Sequence, residues 1–230
     1  MILPPRRATW QRWLRLSTSR YSLLRGLEYE RLEDLSLRGR ILDVGGGQRT
    51  SYLPKVEGII DSINIDPVMK PTVLANLNDP LPLASDSYDH VVSLNTLEHV
   101  WNDILAIREM VRVLKPGGQL HLIIPFLYRV HGSPNDYHRH TAAWWMDSFL
   151  SFGLSPETLT IEPLVWDPLS SAFSLIEFQF GRLRGICKRL VMLVAVLLHA
   201  HWPGQERLPA TYCQYYAEYA FGYYIHGIKQ

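Results

Sequence analysis

Apolar positions recur every three to four residues from Thr9 to Leu35: Trp10, Trp13, Leu14, Tyr21, Leu24, Leu27 and Leu32, with arginines between them. That spacing predicts an amphipathic helix. The period then shortens. Ile41 to Val44, Ile59 to Ile65, Tyr88 to Leu94 and Leu120 to Ile124 read as short strands. Between the last two, Val100 to Leu114 reads as a helix with Ile104, Ile107, Val111 and Leu114 on one face, stopped by Pro116-Gly117-Gly118. Strand, helix, strand in this rhythm means parallel pairing with right-handed crossovers. A helix over Ala142 to Phe152 follows, capped by Thr141, with Trp144, Trp145 and Phe149 facing inward. Glu157 to Leu164 and Ala220 to Lys229 read as the last two strands.

Composition narrows this to one α/β domain. The chain has 230 residues, 47% hydrophobic and 20% charged, enough for a full core. A net charge of +1 argues against a dedicated nucleic-acid binder. Cys187 and Cys213 have no metal or redox spacing, so free thiols in a reducing, cytoplasmic compartment are expected. The start has no apolar leader segment.

Charge and apolar character are unevenly placed. Between Met1 and Leu27 stand six arginines and no acid. Residues 1–36 thus form a basic amphipathic helical arm, for which two readings stand. It packs over the domain edge, or it lies on an anionic membrane surface with its tryptophans at the interface. The α/β domain proper spans 37–230. It holds an insertion at about 165–215, where a minimal fold has a short connection. The insertion's uncharged run, Leu190 to Leu198, is shorter than the roughly 20 residues a membrane span needs. Burial, a homodimer interface, or a monotopic contact with the inner face of the membrane would each use it.

The candidate chemistry starts at Arg40 to Arg49, where the first strand breaks into Gly45, Gly46 and Gly47. A turn without Cβ atoms lets the backbone approach a ligand. If Thr50 to Leu53 begin a helix, the turn's amides favour an anion or carboxylate. Asp66 ends the second strand, 21 positions beyond Gly45, where a carboxylate can accept both hydroxyls of a ribose. A dinucleotide fingerprint would want a third glycine where Thr50 stands.

The motifs that follow decide between these. Asp43-Val44-Gly45-Gly46-Gly47, the Asn76 to Leu83 segment, Tyr88 to Asn95, Leu97-Glu98-His99 and Leu114-Lys115-Pro116-Gly117-Gly118 occur in that order. As an ordered set they resemble the class I S-adenosylmethionine-dependent methyltransferases, of the methyltransferase type 11-like subgroup. The resemblance implies a doubly wound, mostly parallel, seven-stranded Rossmann-like sheet whose last strand inserts antiparallel. It implies S-adenosyl-L-methionine as cofactor, with Asp43, Gly45, Gly46 and Gly47 at its methionine end. Asp66 would take the ribose, Asn76 and Leu77 would flank the adenine, and Asn95 would line the pocket. An aspartate more often stands at Asn76; asparagine still offers a carbonyl to the adenine amine. His99 is read as structural.

After the fifth strand comes Tyr128 to Thr141, which resembles a "His-x-x-Pro-x-Asp-Tyr-x-Arg-Tyr-Thr" element of bacterial methyltransferases of cell-surface polysaccharide and glycolipid pathways. His140 replaces the usual aromatic residue. Three readings stand. The first is an acceptor loop, with His131 or Asp136 taking a proton from a hydroxyl and Tyr137, Arg139 and His140 holding the acceptor. The second is a structural loop. The third is a metal site of His131, Asp136, His138 and His140, for which the sequence offers no ligand frame, so no metal is expected. The expected function is methyl transfer to a hydroxyl-bearing acceptor, a cell-surface glycan or lipid-linked intermediate. The alternatives are a small-molecule or quinone-type acceptor, or a catalytically silent binding protein.

Overall fold

The computed structural model describes residues 1–48, 52–53, 55–132, 135–199 and 215–230. Thr50, Pro134 and Cys213, which enter the sequence reading, lie outside the described residues. So does the start of the helix expected from Thr50; Tyr52 and Leu53 are not helical.

Seven strands form one sheet: β1 Leu37–Val44, β2 Val56–Asn64, β3 Val73–Leu74, β4 Tyr88–Leu94, β5 Leu114–Pro125, β6 Thr160–Leu164 and β7 Gly222–Ile228. Their order is β3-β2-β1-β4-β5-β7-β6. β7 runs antiparallel to β5 and β6, and the other pairings are parallel. This is the doubly wound sheet the motifs implied. The strand order reverses between β1 and β4, so their carboxyl ends part there, and a crevice opens at the place such sheets hold ligands.

Two expected boundaries shift. The second strand ends at Asn64, and Asp66 instead caps a 3-10 turn, Pro67–Met69, by accepting from Val68 N at 2.8 Å. Pro67 has no N–H to continue a ladder, so the chain turns there. The single helix expected from Thr9 to Leu35 is two, α1 Trp10–Thr18 and α2 Leu23–Leu32. The break falls where the Ser22 hydroxyl caps α2 through Arg25 N at 3.2 Å, a local bond that competes with a continuing helix.

The helices cover both faces. α3, Asp103–Val113, and α4, Ala142–Ser151, bury Ile107, Met110, Trp145 and Phe149 against Leu42, Val91 and Leu122. On the other face, α2 buries Leu23, Leu24, Leu27 and Leu32 against Ile41, Val92 and Ile123. The insertion begins with α5, Pro168–Ile176, and a 3-10 run, Glu177–Leu183. α6, Arg184–His199, then adds Met192, Ala195 and Val196 to the same layer as α2. Residues 1–36 therefore pack as part of the sheet's second layer rather than standing off it. Most of their arginines meet acids within the fold. Arg12 donates to both oxygens of Glu30 at 2.8 and 2.7 Å, Arg6 bridges Glu162 and Asp34 at 3.0 and 2.7 Å, and Arg15 reaches Glu33 at 2.8 Å. Among the described residues no helix is long and apolar enough to cross a membrane.

Candidate active site

The glycine turn closes the end of β1 against β4. Ser93 Oγ and Thr96 Oγ1 both donate to Val44 O, at 3.1 and 3.2 Å. Gly45 has φ +87°, and a Cβ there would lie 2.1 Å from Thr96 Oγ1. At Gly46 a Cβ would lie 1.9 Å from Asp43 Oδ2, and at Gly47 2.6 Å from Met69 O. Close packing of the protein on itself is therefore enough to require all three glycines. Two turn amides are also used internally: Gly45 N donates to Ile63 O and Gln48 N to Met69 O, at 2.8 and 2.9 Å. They are not available to an anion. Asn64 ties the turn to the Asp66 segment. Its Nδ2 donates to Gly45 O and Gly46 O at 2.8 and 3.1 Å, and its Oδ1 accepts from Asp66 N at 2.9 Å.

Asp43 lies under this turn, fully buried. Its Oδ2 accepts from the Tyr52 hydroxyl, and among the described residues nothing donates to Oδ1. Burial pushes its carboxyl up to about 6, against the lowering effect of the Tyr52 bond. Burial and the adjacent Asp43 push the Tyr52 phenol up as well. A buried acceptor oxygen without a donor suits a ligand with an ammonium group, and the exposed carboxylate of Asp66 suits one with vicinal hydroxyls. S-adenosylmethionine carries both, and in these two respects the residues fit it. The adenine residues stand differently from expectation. Asn76 Oδ1 already accepts from Asn78 N and Nδ2, at 3.0 and 2.9 Å, and Leu77 is buried in the core.

Beyond the carboxyl ends of β4 and β5 lies a cavity of about 130 Å³, lined by Ser22, Leu24, Arg25, Glu28, Asn95, Glu98, Pro125, Tyr128 and His131. It brings Asn95 and His131 together, as the cofactor and acceptor readings require. It also contains two carboxylates that the sequence reading did not single out. Glu28 and Glu98 are fully buried. Asn95, in the left-handed region at φ +49°, donates to Glu28 Oε1 at 2.9 Å. Arg25 Nη1 lies 3.2 Å from Glu28 Oε2. Among the described residues, no group except its own amide donates to the Glu98 carboxylate, though His99 Nε2 lies 3.7 Å from Oε1, and none donates to Asn95 Oδ1. Burial, reinforced by the charges of Glu28 and Asp136, pushes Glu98 up to about 8. Burial raises Glu28 too, and it lowers His131. One signal for Glu28 was available. It stands four residues after Leu24 on the buried face of a helix, where an acid is costly unless it has a task.

The loop after β5 is a self-bonded clip from which His131 reaches the cavity. Both Asp136 oxygens are held by Arg139, Oδ2 at 2.6 Å, and Oδ2 also accepts from His131 N at 2.9 Å. Arg139 and the His131 amide hold the Asp136 carboxyl below the usual range despite partial burial, which disfavours it as a proton acceptor. Arg139 is correspondingly engaged inside the loop. His140 pairs with Asp103 Oδ2 at 2.6 Å and stacks on Trp144 with ring centres 3.4 Å apart. Tyr137 packs edge-on against Trp101. Of the proposed catalytic pair, His131 faces the cavity and Asp136 steadies the loop. The four residues weighed as a metal set divide: Glu98, His99 and His131 converge within 4.8 Å, as do Asp103, His138 and His140.

A family model described as a methyltransferase domain matches residues 42–122, from β1 to β5. No curated protein matches the chain. Among solved structures, one resembling it comes from the complex of the Haloferax volcanii Trm112 methyltransferase activator with a methyltransferase. It has TM-score 0.56 and 16% identity, over 88% of this chain and 88% of that one. The [4+2]-cyclase SpnF has TM-score 0.55 and 19% identity, over 91% and 84%. Haemonchus contortus phosphoethanolamine N-methyltransferase 2, solved with S-adenosyl-L-methionine, has TM-score 0.52 and 13% identity. The alignment with it covers 96% of this chain and 52% of that one. β1 to β5 thus match a methyltransferase domain, and the whole sheet has the fold of these solved structures.

Proposed function

We propose that the chain methylates a hydroxyl group on a cell-surface glycan or lipid-linked intermediate, in the cytoplasm of a bacterium. The observation that carries this is the buried, acceptor-rich cavity beside the cofactor turn. The Glu98 carboxylate has no donor but its own amide and Asn95 Oδ1 has none among the described residues, and an acceptor bearing hydroxyls supplies them.

The donor supplies an already activated methyl group on a sulfonium, so the protein's tasks are alignment, exclusion of water and removal of one proton. Asp43 and Asp66 hold the two ends of the cofactor. Leu24 and Ser22, from the N-terminal layer, line one side of the cavity. Asn95 and Glu28 orient the hydroxyl. Glu98 takes its proton once ionised, with His131 as the exchange point toward the loop surface. A base raised to about 8 is matched to a hydroxyl better than an ordinary carboxylate is.

The test has two stages. Calorimetric titration should show binding of S-adenosylmethionine and of its demethylated product. Turnover with isotopically labelled donor is then measured against polyprenyl-linked sugars, free oligosaccharides and quinols. Binding without methylation of any sugar, but with methylation of a quinol, would reassign the acceptor. Failure to bind either cofactor form would leave the silent-protein reading in place.

A further inference from the structure

We propose that the outer face of α5, the following 3-10 run and α6 docks on an anionic lipid bilayer. α6 is apolar on two sides. Met192, Ala195 and Val196 face the core, while Ile186, Leu190, Val194 and Leu197 form a second, exposed stripe at helical spacing. Leu175, Ile176, Phe178, Phe180 and Leu183 extend this stripe through the two preceding elements. A continuous exposed apolar surface of this kind needs a partner.

The charge pattern selects the partner. From Pro168 to His199 the one acid is Glu177, and it is fully buried. Arg182 and Arg189 are exposed on the same elements, and Arg20 and Arg129 are exposed at the border. The surface is thus apolar with a cationic rim, which suits acyl chains beneath anionic headgroups. Over its described residues the helix is too short to span, which suits a place in the interface.

The face also adjoins the cavity. The Arg129 guanidinium sits 4.5 Å from the centre of the Phe178 ring, next in sequence to the cavity residue Tyr128. Lys188 Nζ donates to Ser19 O and Tyr21 O, at 2.7 and 3.0 Å, fixing α6 beside Ser22 at the cavity wall. A bilayer on this face therefore meets the site where a lipid-linked acceptor would enter. The inference rests on the acceptor reading for its purpose, though the docking itself is measured independently.

The test is flotation of the intact chain with vesicles of phosphatidylcholine alone or with roughly a third phosphatidylglycerol. At low salt, binding to the anionic vesicles should be at least about tenfold stronger, and high salt should weaken it. Arg182→Glu should cost roughly fivefold or more, and the pair Leu190→Glu and Leu197→Glu at least about tenfold. Both variants should retain the parent melting temperature and cofactor titration, since these side chains are exposed. No vesicle binding by the intact chain, or binding unchanged in the leucine variant, overturns the docking while intact cofactor titration leaves the methyltransferase reading standing. A dimer that the leucine variant dissolves, without vesicle binding, overturns it in favour of a second copy of the chain.

Discussion

Asp43 joins stability to cofactor binding, and replacing it with asparagine separates the two. Raising its carboxyl from 3.8 to about 6 corresponds to about 3 kcal/mol of penalty for burying the charged form. The sign follows from linkage. The folded state holds the proton more tightly than the unfolded chain, so this contribution is complete below pH 4 and is lost as pH rises through about 6. At pH 7 the ligand-free protein therefore carries an unfavourable buried charge. Asp43→Asn removes it and keeps a partner for the Tyr52 hydroxyl, so at about 2–4 °C per kcal/mol for a chain of this size the melting temperature at pH 7 should rise by roughly 6–12 °C. Cofactor binding should move the other way. A cationic ligand needs the ionised carboxylate, so the parent protein's affinity should tighten about tenfold between pH 5 and pH 7. The variant should bind weakly and without that slope. Thermal melts and calorimetry across this pH range measure both. A variant less stable than the parent at pH 7, or a parent affinity equal at pH 5 and pH 7, would refute the reasoning.

Three further outcomes follow from the same geometry. Glu98→Gln should lower turnover by about a hundredfold or more and abolish the rise in rate through pH 8, with cofactor affinity unchanged in titration. Gly46→Ala should abolish cofactor binding and cost about 1–3 kcal/mol by denaturant unfolding, because its methyl would meet the buried Asp43 carboxylate. Asp136→Ala should cost about 1–3 kcal/mol by releasing Arg139 and the His131 amide, and turnover should fall more than cofactor affinity.

The turn at the end of β1 was legible because local chemistry writes it. A buried strand must end somewhere, and Asp43 followed by three glycines marks where. The strand and helix rhythm from Ile41 to Ile124 fixes parallel pairing, and that alone puts Gly45 and Asn95 at the same crevice. The acceptor half was less legible, because its walls come from distant segments. Glu28 meets Asn95 across 67 positions, and no local pattern encodes that contact. Counting arginines between Met1 and Leu27 suggested a cationic surface. The acids that pair with them, Glu30 and Glu162 among others, lie later in the chain and are brought in only by tertiary packing. The loop from Tyr128 to Thr141 was read as the acceptor-side loop by position, and its Tyr128 and His131 line the cavity. Which of its side chains turn inward depends on Asp136 and Arg139 binding each other first, and spacing does not settle that choice.

The N-terminal layer has a consequence for how the enzyme is made. α2 supplies Glu28 and Leu24 to the cavity, and the segment ahead of the helices is tied to β6, translated much later. Arg6 pairs with Glu162 across 156 positions, and Leu3 N donates to Ile161 O in β6. A nascent chain that has emerged only through β5 holds the cofactor turn and lacks these anchors. The segment before α1 must wait for β6 before it can take its place, although α2 already has Ile41, Val92 and Ile123 to pack on.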